Sequence, residues 1–167
     1  MSVAPAESWE ERCAALWKAI DAHGEDDFVA RVDALAAELP AGSAVAFFER
    51  GCAQDSTGHS DRAVPLYRAA LDAGLSGLRR RRAVIQMSSS LRNVGDAPEA
   101  VRLLTAELER PPDELDGAVL GFLALALVDV GREREAVAAS LTALSQYLPR
   151  YNRSLARYAA ALVATPP

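Results

Sequence analysis

The chain has 167 residues, of which half are hydrophobic and a quarter charged; this length is typical of one domain and the composition excludes disorder as the overall state. Its net charge of −5 disfavours non-specific binding to nucleic acid, which needs a basic surface. Alanine and leucine number 34 and 21, against 13 valines and 2 isoleucines, so the composition favours helices over strands.

The N-terminal segment predicts two helices. Apolar residues from Trp9 to Ile20 recur at spacings of three and four, the period of an amphipathic helix. Gly24 is interpreted as the glycine that caps the end of this helix, and a second helix is predicted from Glu25 to Leu39, before Pro40. The chain opens without a basic segment followed by a long apolar run, so no signal peptide is expected and a cytoplasmic location is predicted.

The same helix–turn–helix pattern then recurs. Helix pairs are predicted at about 43–56 with 60–72, 78–94 with 97–110, and 114–130 with 133–147, and a last helix at about 151–164. The apolar run at 117–128 is too short to span a bilayer and is interpreted as a buried helix. The turn glycines Gly24, Gly58, Gly95 and Gly131 are separated by 34, 37 and 36 residues, a period typical of helical solenoids.

These units resemble the tetratricopeptide repeat, which has small, apolar and turn residues at set positions. The matching residues are Gly51, Gly58, Ala63, Tyr67, Ala70 and Leu71 in the second unit, Ser88, Leu91, Gly95, Ala100 and Leu104 in the third, and Leu123, Ala124, Leu127, Gly131, Ala136 and Ala143 in the fourth. The stretch Ala83–Gly95 and the ending Leu148–Tyr151 are similar to small bacterial proteins of this family that have no assigned function.

The resemblance implies an all-α fold, a right-handed α-solenoid of antiparallel helix pairs with about nine helices. It implies a single domain over residues 1–167 with repeat units at about 10–43, 44–77, 81–112 and 117–148, and a C-terminal capping helix at about 151–164. The first of these units is degenerate, because Trp17 stands where a small residue is usual.

The resemblance also implies a concave groove lined by the first helix of each unit. Carried over by position, the predicted lining includes Lys18, Phe48, Cys52, Asp55, Arg82, Ile85, Ser89, Arg92, Asn93, Leu125 and Asp129. Cys52 occupies the position at which the chaperone-binding members carry Asn, so recognition of a chaperone tail is not expected. The polar cluster around Arg82 and Arg92 is predicted to capture an acidic or extended peptide. The alternative is a solvated inner wall with an ion pair between Asp55 and Arg92.

The run of four arginines Arg79–Arg82 has two interpretations. Cations at a helix N-terminus oppose the helix dipole, which would suit a contact with nucleic acid or another anion. Alternatively, some of the four precede the helix or pair with acidic residues of the neighbouring unit, and this second interpretation is favoured in an acidic chain.

The sequence contains no arrangement typical of a catalytic, cofactor-binding or metal-binding site. The predicted function is therefore a non-catalytic adaptor or scaffold that binds a protein or peptide, with no cofactor, no metal and no membrane partner. The alternatives are a module that self-associates through its groove or terminal helix and, more weakly, a regulator that binds nucleic acid through Arg79–Arg82.

Overall fold

A computed structural model of the chain describes residues 7–164. Over these residues the structure is built from nine α-helices and one short 3₁₀ turn, and it contains no strands. This confirms the predicted all-α class. The chain divides into two compact units, Met1–Leu75 and Ser76–Pro167, and the boundary falls between the second and third predicted repeats.

The first unit contains four α-helices. They are α1 (Trp9–Lys18), α2 (Glu25–Ala36), α3 (Ala44–Ser56) and α4 (Ser60–Asp72), with the 3₁₀ turn Ile20–Ala22 after α1. Consecutive helices pack on one another. Phe28, Val32 and Ala53 form a buried cluster with Trp17 partly buried against it, so the degenerate first repeat shares a core with α3 of the second repeat.

The second unit contains five α-helices. They are α5 (Gly77–Asn93), α6 (Ala97–Leu108), α7 (Asp116–Asp129), α8 (Glu133–Ser145) and α9 (Asn152–Val163). Helix α7 packs on both α5 and α6, as the first helix of a repeat does when it continues a stack, whereas α9 packs on α8.

The turns inside the second to fourth repeats share one hydrogen-bond pattern. Gly58, Gly95 and Gly131 have positive φ, and the residue after each donates its backbone N–H to a carbonyl five residues back, as in His59 to Gln54. This is the Schellman motif, which favours glycine because other residues are strained in the left-handed region. The predicted turns at these three positions are confirmed.

The first predicted turn glycine behaves differently. Gly24 has a φ of −70° and stands at the N-cap of α2, so the interpretation of this residue as a C-terminal cap was wrong. Helix α1 ends earlier, at Lys18, and the 3₁₀ turn fills the gap before His23. The first repeat therefore departs from the others in its turn geometry as well as in its sequence.

The last helix lies at the predicted position but not on the side of α8 that would continue the stack. The Arg134 Nε donates to the Leu162 carbonyl at 2.5 Å, and Ala138 and Ser145 of α8 are buried. At 100° per residue, Arg134, Ala138 and Ser145 share one side of α8, whereas Val137, Ser140 and Leu144 lie about 100° away around the helix axis and are exposed. Helix α9 therefore covers one side of α8 and leaves the side with Val137, Ser140 and Leu144 open.

Candidate binding surface

The predicted groove residues of the first unit differ widely in exposure. Lys18 is exposed in the last turn of α1, and Asp55 is half-buried near the end of α3. Phe48 and Cys52 are 0% and 1% exposed. Their exposure on a groove had been expected, but the small neighbours of α3 let α4 approach closely and enclose them. Direct contact between a partner and either of these two side chains would require the unit to open.

Tyr67 explains part of this burial. Its ring lies 6.3 Å from that of Phe48, and its hydroxyl donates to the Asp55 carboxylate at 3.4 Å. Burial raises the pKa of Tyr67 far above its ordinary value, and the neighbouring Cys52 and Asp55 raise it further. The hydroxyl is therefore neutral and acts as a donor that fixes Asp55.

The second unit brings predicted residues together on two neighbouring helices. Arg82, Ser89 and Asn93 follow one side of α5 at spacings of seven and four, and Arg82 and Asn93 are exposed. Leu125 is 48% exposed on α7. Ile85, which was also predicted to line the groove, is 5% exposed and belongs to the core, because its side of α5 turns towards the interior.

An ion pair joins the two helices in the middle of this region. Arg92 Nε lies 2.5 Å from Asp129 Oδ2, and the two side chains are 18% and 36% exposed. The sequence had suggested Asp55 as the partner of Arg92, and the structure instead gives Asp129 that role. Asp129 follows Arg92 by 37 residues, which is one repeat further along the stack. The pair thus locks the end of α5 to the end of α7.

We refer to this surface as the α5/α7 face. It consists of Arg82, Ser89, Arg92, Asn93, Leu125 and Asp129. Ser89 and Leu125 are related by 36 residues, as are Asn93 and Asp129, so corresponding positions of two successive repeats form it. The face offers amide and hydroxyl groups, one half-buried ion pair and one exposed leucine.

The arginine run lies wholly within α5, contrary to the suggestion that part of it precedes the helix. Arg80 Nη1 lies 2.6 Å from Glu107 Oε1. Arg81 is 4% exposed and contacts Asp116 at 2.5 Å and Asp113 at 3.1 Å. Arg80 is therefore neutralised by Glu107 of its own repeat, whereas Arg81 pairs with residues that lead into the next repeat, so the second interpretation holds for Arg81. This argues against a phosphate-binding role for the run.

A second exposed surface was missed by the sequence interpretation. A depression of about 280 Å³ lies between α7 and α8; we call it the α7/α8 groove, and its lining includes Gly121, Leu125, Val128, Val137, Ser140 and Leu141. Leu125, Val128 and Val137 are each about half exposed. The run 117–128 is therefore not wholly buried, contrary to its interpretation as a buried helix. The sequence does contain a signal for this groove. When α8 is aligned with α6 at an offset of 36 residues, Ser140 stands where α6 has the buried Leu104.

Within residues 7–164, no helix is long and apolar enough to cross a membrane. In the same part of the chain, His, Cys, Asp and Glu side chains form no group of three or more that could hold a metal ion.

Comparisons with curated proteins and with solved structures gave no significant match. A family model described as the tetratrico peptide repeat matches residues 44–162, which correspond to α3–α9. The match begins where the degenerate first repeat ends and extends across the last helix. It covers most of the chain and agrees with the helix pairs and the shared turn geometry. The chain therefore belongs to the tetratricopeptide repeat family.

Proposed function

We propose that the chain is a protein-binding adaptor that takes up an extended segment of a partner on the α5/α7 face. Repeats of this family generally mediate interactions between proteins. The proposal includes no catalytic step. It also includes action in the cytoplasm, since Cys13 and Cys52 are buried and form no disulfide, and cysteines kept as thiols suit a reducing compartment.

The observation that carries this proposal is the chemical make-up of the α5/α7 face. Ser89 and Asn93 supply donors and acceptors that can pair with the backbone of an extended segment. Arg82 supplies a guanidinium that suits a carboxylate of the partner. Leu125 supplies apolar area for a hydrophobic side chain. Because Arg92 is already held by Asp129, its role in this proposal is to keep α5 and α7 in register.

In the test, peptides that bind the whole chain are first selected from a displayed library. The affinity of one selected peptide is then measured by calorimetric titration. We expect Arg82→Glu to weaken binding of an acidic peptide by about tenfold, which is about 1.4 kcal/mol. Asn93→Ala removes side-chain hydrogen bonds, and we expect it to weaken binding by about fivefold.

Two matched variants serve as controls. Arg102→Glu reverses an exposed arginine on α6, and Val137→Glu alters the α7/α8 groove; both should leave the affinity unchanged. Equal affinity of the parent chain and of Arg82→Glu and Asn93→Ala would refute the proposed face. Loss of binding in Arg102→Glu would show that general charge, and not this face, attracts the peptide.

A further inference from the structure

The fourth helix pair presents an open stacking side. In the preceding pair, α7 packs on α6, and Val101 and Leu104 of α6 are 9% and 0% exposed. Thirty-six residues later, Val137 is 50% exposed and Ser140 is also exposed. Because α9 packs on a different side of α8, the side of α8 with Val137 and Ser140 is uncovered. The corresponding side of α6 is buried.

The α7/α8 groove occupies the place where the next helix of a stack would lie. The groove is open above Gly121. A Cβ atom placed on this glycine would have no heavy atom of the described residues within 4 Å. Apolar side chains form most of the lining, which also includes one carboxylate, that of Glu133 at the start of α8. The polarity of the groove thus suits a helix with small residues and positive charge.

Helix α9 of this chain has those properties on its outward side. Arg153, Arg157, Ala160 and Ala161 are exposed and cluster on one side at 100° per residue. Tyr158 is 61% exposed beside them, and Arg157 lies 5.3 Å from the centre of its ring. Residues 136–167 contain three arginines and no acidic residue, so residues 1–135 carry a net charge of −8.

We propose that the α7/α8 groove binds α9 of a second copy of this chain. The alanines allow close approach to Gly121 and Ser140, and Arg153 and Arg157 meet the carboxylate of Glu133, since Asp129 is already paired with Arg92. The charge of the two surfaces is complementary, which favours encounter in this orientation over others. Since the groove and the outward surface of α9 are separate surfaces of one chain, each can contact a different copy, and the contact joins copies head to tail.

Light scattering coupled to gel filtration, over a range of protein concentrations, tests this assembly. We expect the weight-average mass to rise past twice the 17.8 kDa of one chain and to fall as salt is added. Val137→Glu and the pair Arg153→Glu with Arg157→Glu should each give a monomer. A mixture of these two variants should form a 1:1 dimer that grows no further, because each supplies the surface that the other lacks.

Controls separate this contact from others. Val94→Glu changes a valine of nearly equal exposure that does not line the groove, and the assembly should persist. Glu133→Arg combined with Arg157→Glu should restore association that Arg157→Glu weakens. Circular dichroism of each variant checks that the helices are retained.

Three results would overturn the proposal: a monomer at every concentration, a mixture of the two variants that stays monomeric, or assembly that survives the arginine reversals. A closed dimer lost only in Val137→Glu would also overturn it, since the groove would then meet its own copy and not α9. None of these results depends on peptide binding by the α5/α7 face, because Arg82→Glu and Asn93→Ala, which test that face, change no residue that lines the α7/α8 groove.

Discussion

At the scale of single residues, Arg81 lies in a buried network of charged side chains. It is 4% exposed, contacts Asp113 and Asp116, and lies 3.8 Å from Glu107 through its Nε. Glu107 is itself 2% exposed and is also held by Arg80. Removal of one partner from such a group leaves buried charge without compensation, which costs far more than loss of an exposed pair.

We therefore expect Arg81→Met to lower the free energy of unfolding by about 3 kcal/mol, measured from the midpoint of urea denaturation. Arg102→Met removes an exposed pair with Glu99, where Arg102 is 64% exposed, and should cost about 0.5 kcal/mol or less. Equal midpoints for the two variants would show that the Arg81 network contributes no more than a surface pair.

Gly51 is required for a different reason. A Cβ on this residue would lie 2.9 Å from Cδ1 of Tyr67, and Tyr67 is fully buried, so its ring has little room to move. Gly51 is thus the point at which α3 and α4 approach closely. Gly121 of α7, by contrast, faces open space.

Alanine at these two glycines should change stability in opposite directions. Gly51→Ala should destabilise the fold by about 1–2 kcal/mol, because overpacking outweighs the gain in helix propensity. Gly121→Ala should stabilise it by about 0.5–1 kcal/mol through propensity alone. Thermal unfolding of both variants measures the two effects, and a stabilised Gly51→Ala would mean that Tyr67 can shift.

At the scale of helices, local hydrogen bonds determine where each element begins and ends. The Ser8 side chain accepts from the Glu11 backbone while the Glu11 carboxylate accepts from the Ser8 backbone at 2.7 Å. The backbone and side-chain hydrogen bonds from Ser8 hold the pKa of Glu11 below its usual value. A carboxyl of lowered pKa stabilises the fold above its ordinary pKa, and this stabilisation is lost as the pH falls through the lowered value.

Ser8→Ala should therefore move the pKa of Glu11 upwards, towards the ordinary value of a glutamate. Carboxyl chemical shifts followed by NMR through an acid titration report it directly. The pKa of Glu135, which a hydrogen bond from Arg132 lowers, is the internal reference and should not move. An unchanged Glu11 titration would mean that the backbone N–H at position 8, which alanine retains, holds the carboxylate without the serine hydroxyl.

The sequence predicted helices well where the signal is local. The helix predicted at 60–72 is α4 (Ser60–Asp72), and that predicted at 78–94 is α5 (Gly77–Asn93), because turn glycines and caps lie within a few residues of the ends they specify. It predicted contacts between helices less well. The partner of Arg92 and the burial of Ile85 depend on which helix lies alongside, and the pattern of one helix does not contain that information.

At the scale of the whole molecule, repeats make the fold predictable and the surfaces variable. A period near 36 residues specifies that helix pairs recur, and the family match over residues 44–162 agrees with it. The residues that differ between repeats are those that make each surface distinct. The change from Leu104 in α6 to Ser140 in α8 alters no helix, yet it marks the difference between a filled stacking side and an open one.

The position of α9 also bears on how such a chain can change in length. A duplicated helix pair inserted after α8 would find the stacking side of the fourth repeat unoccupied, and no existing contact on that side would be broken. The number of repeats at this end is therefore free to vary by gene duplication, whereas an insertion between α5 and α7 would have to separate Arg81 from Asp116 and Arg92 from Asp129.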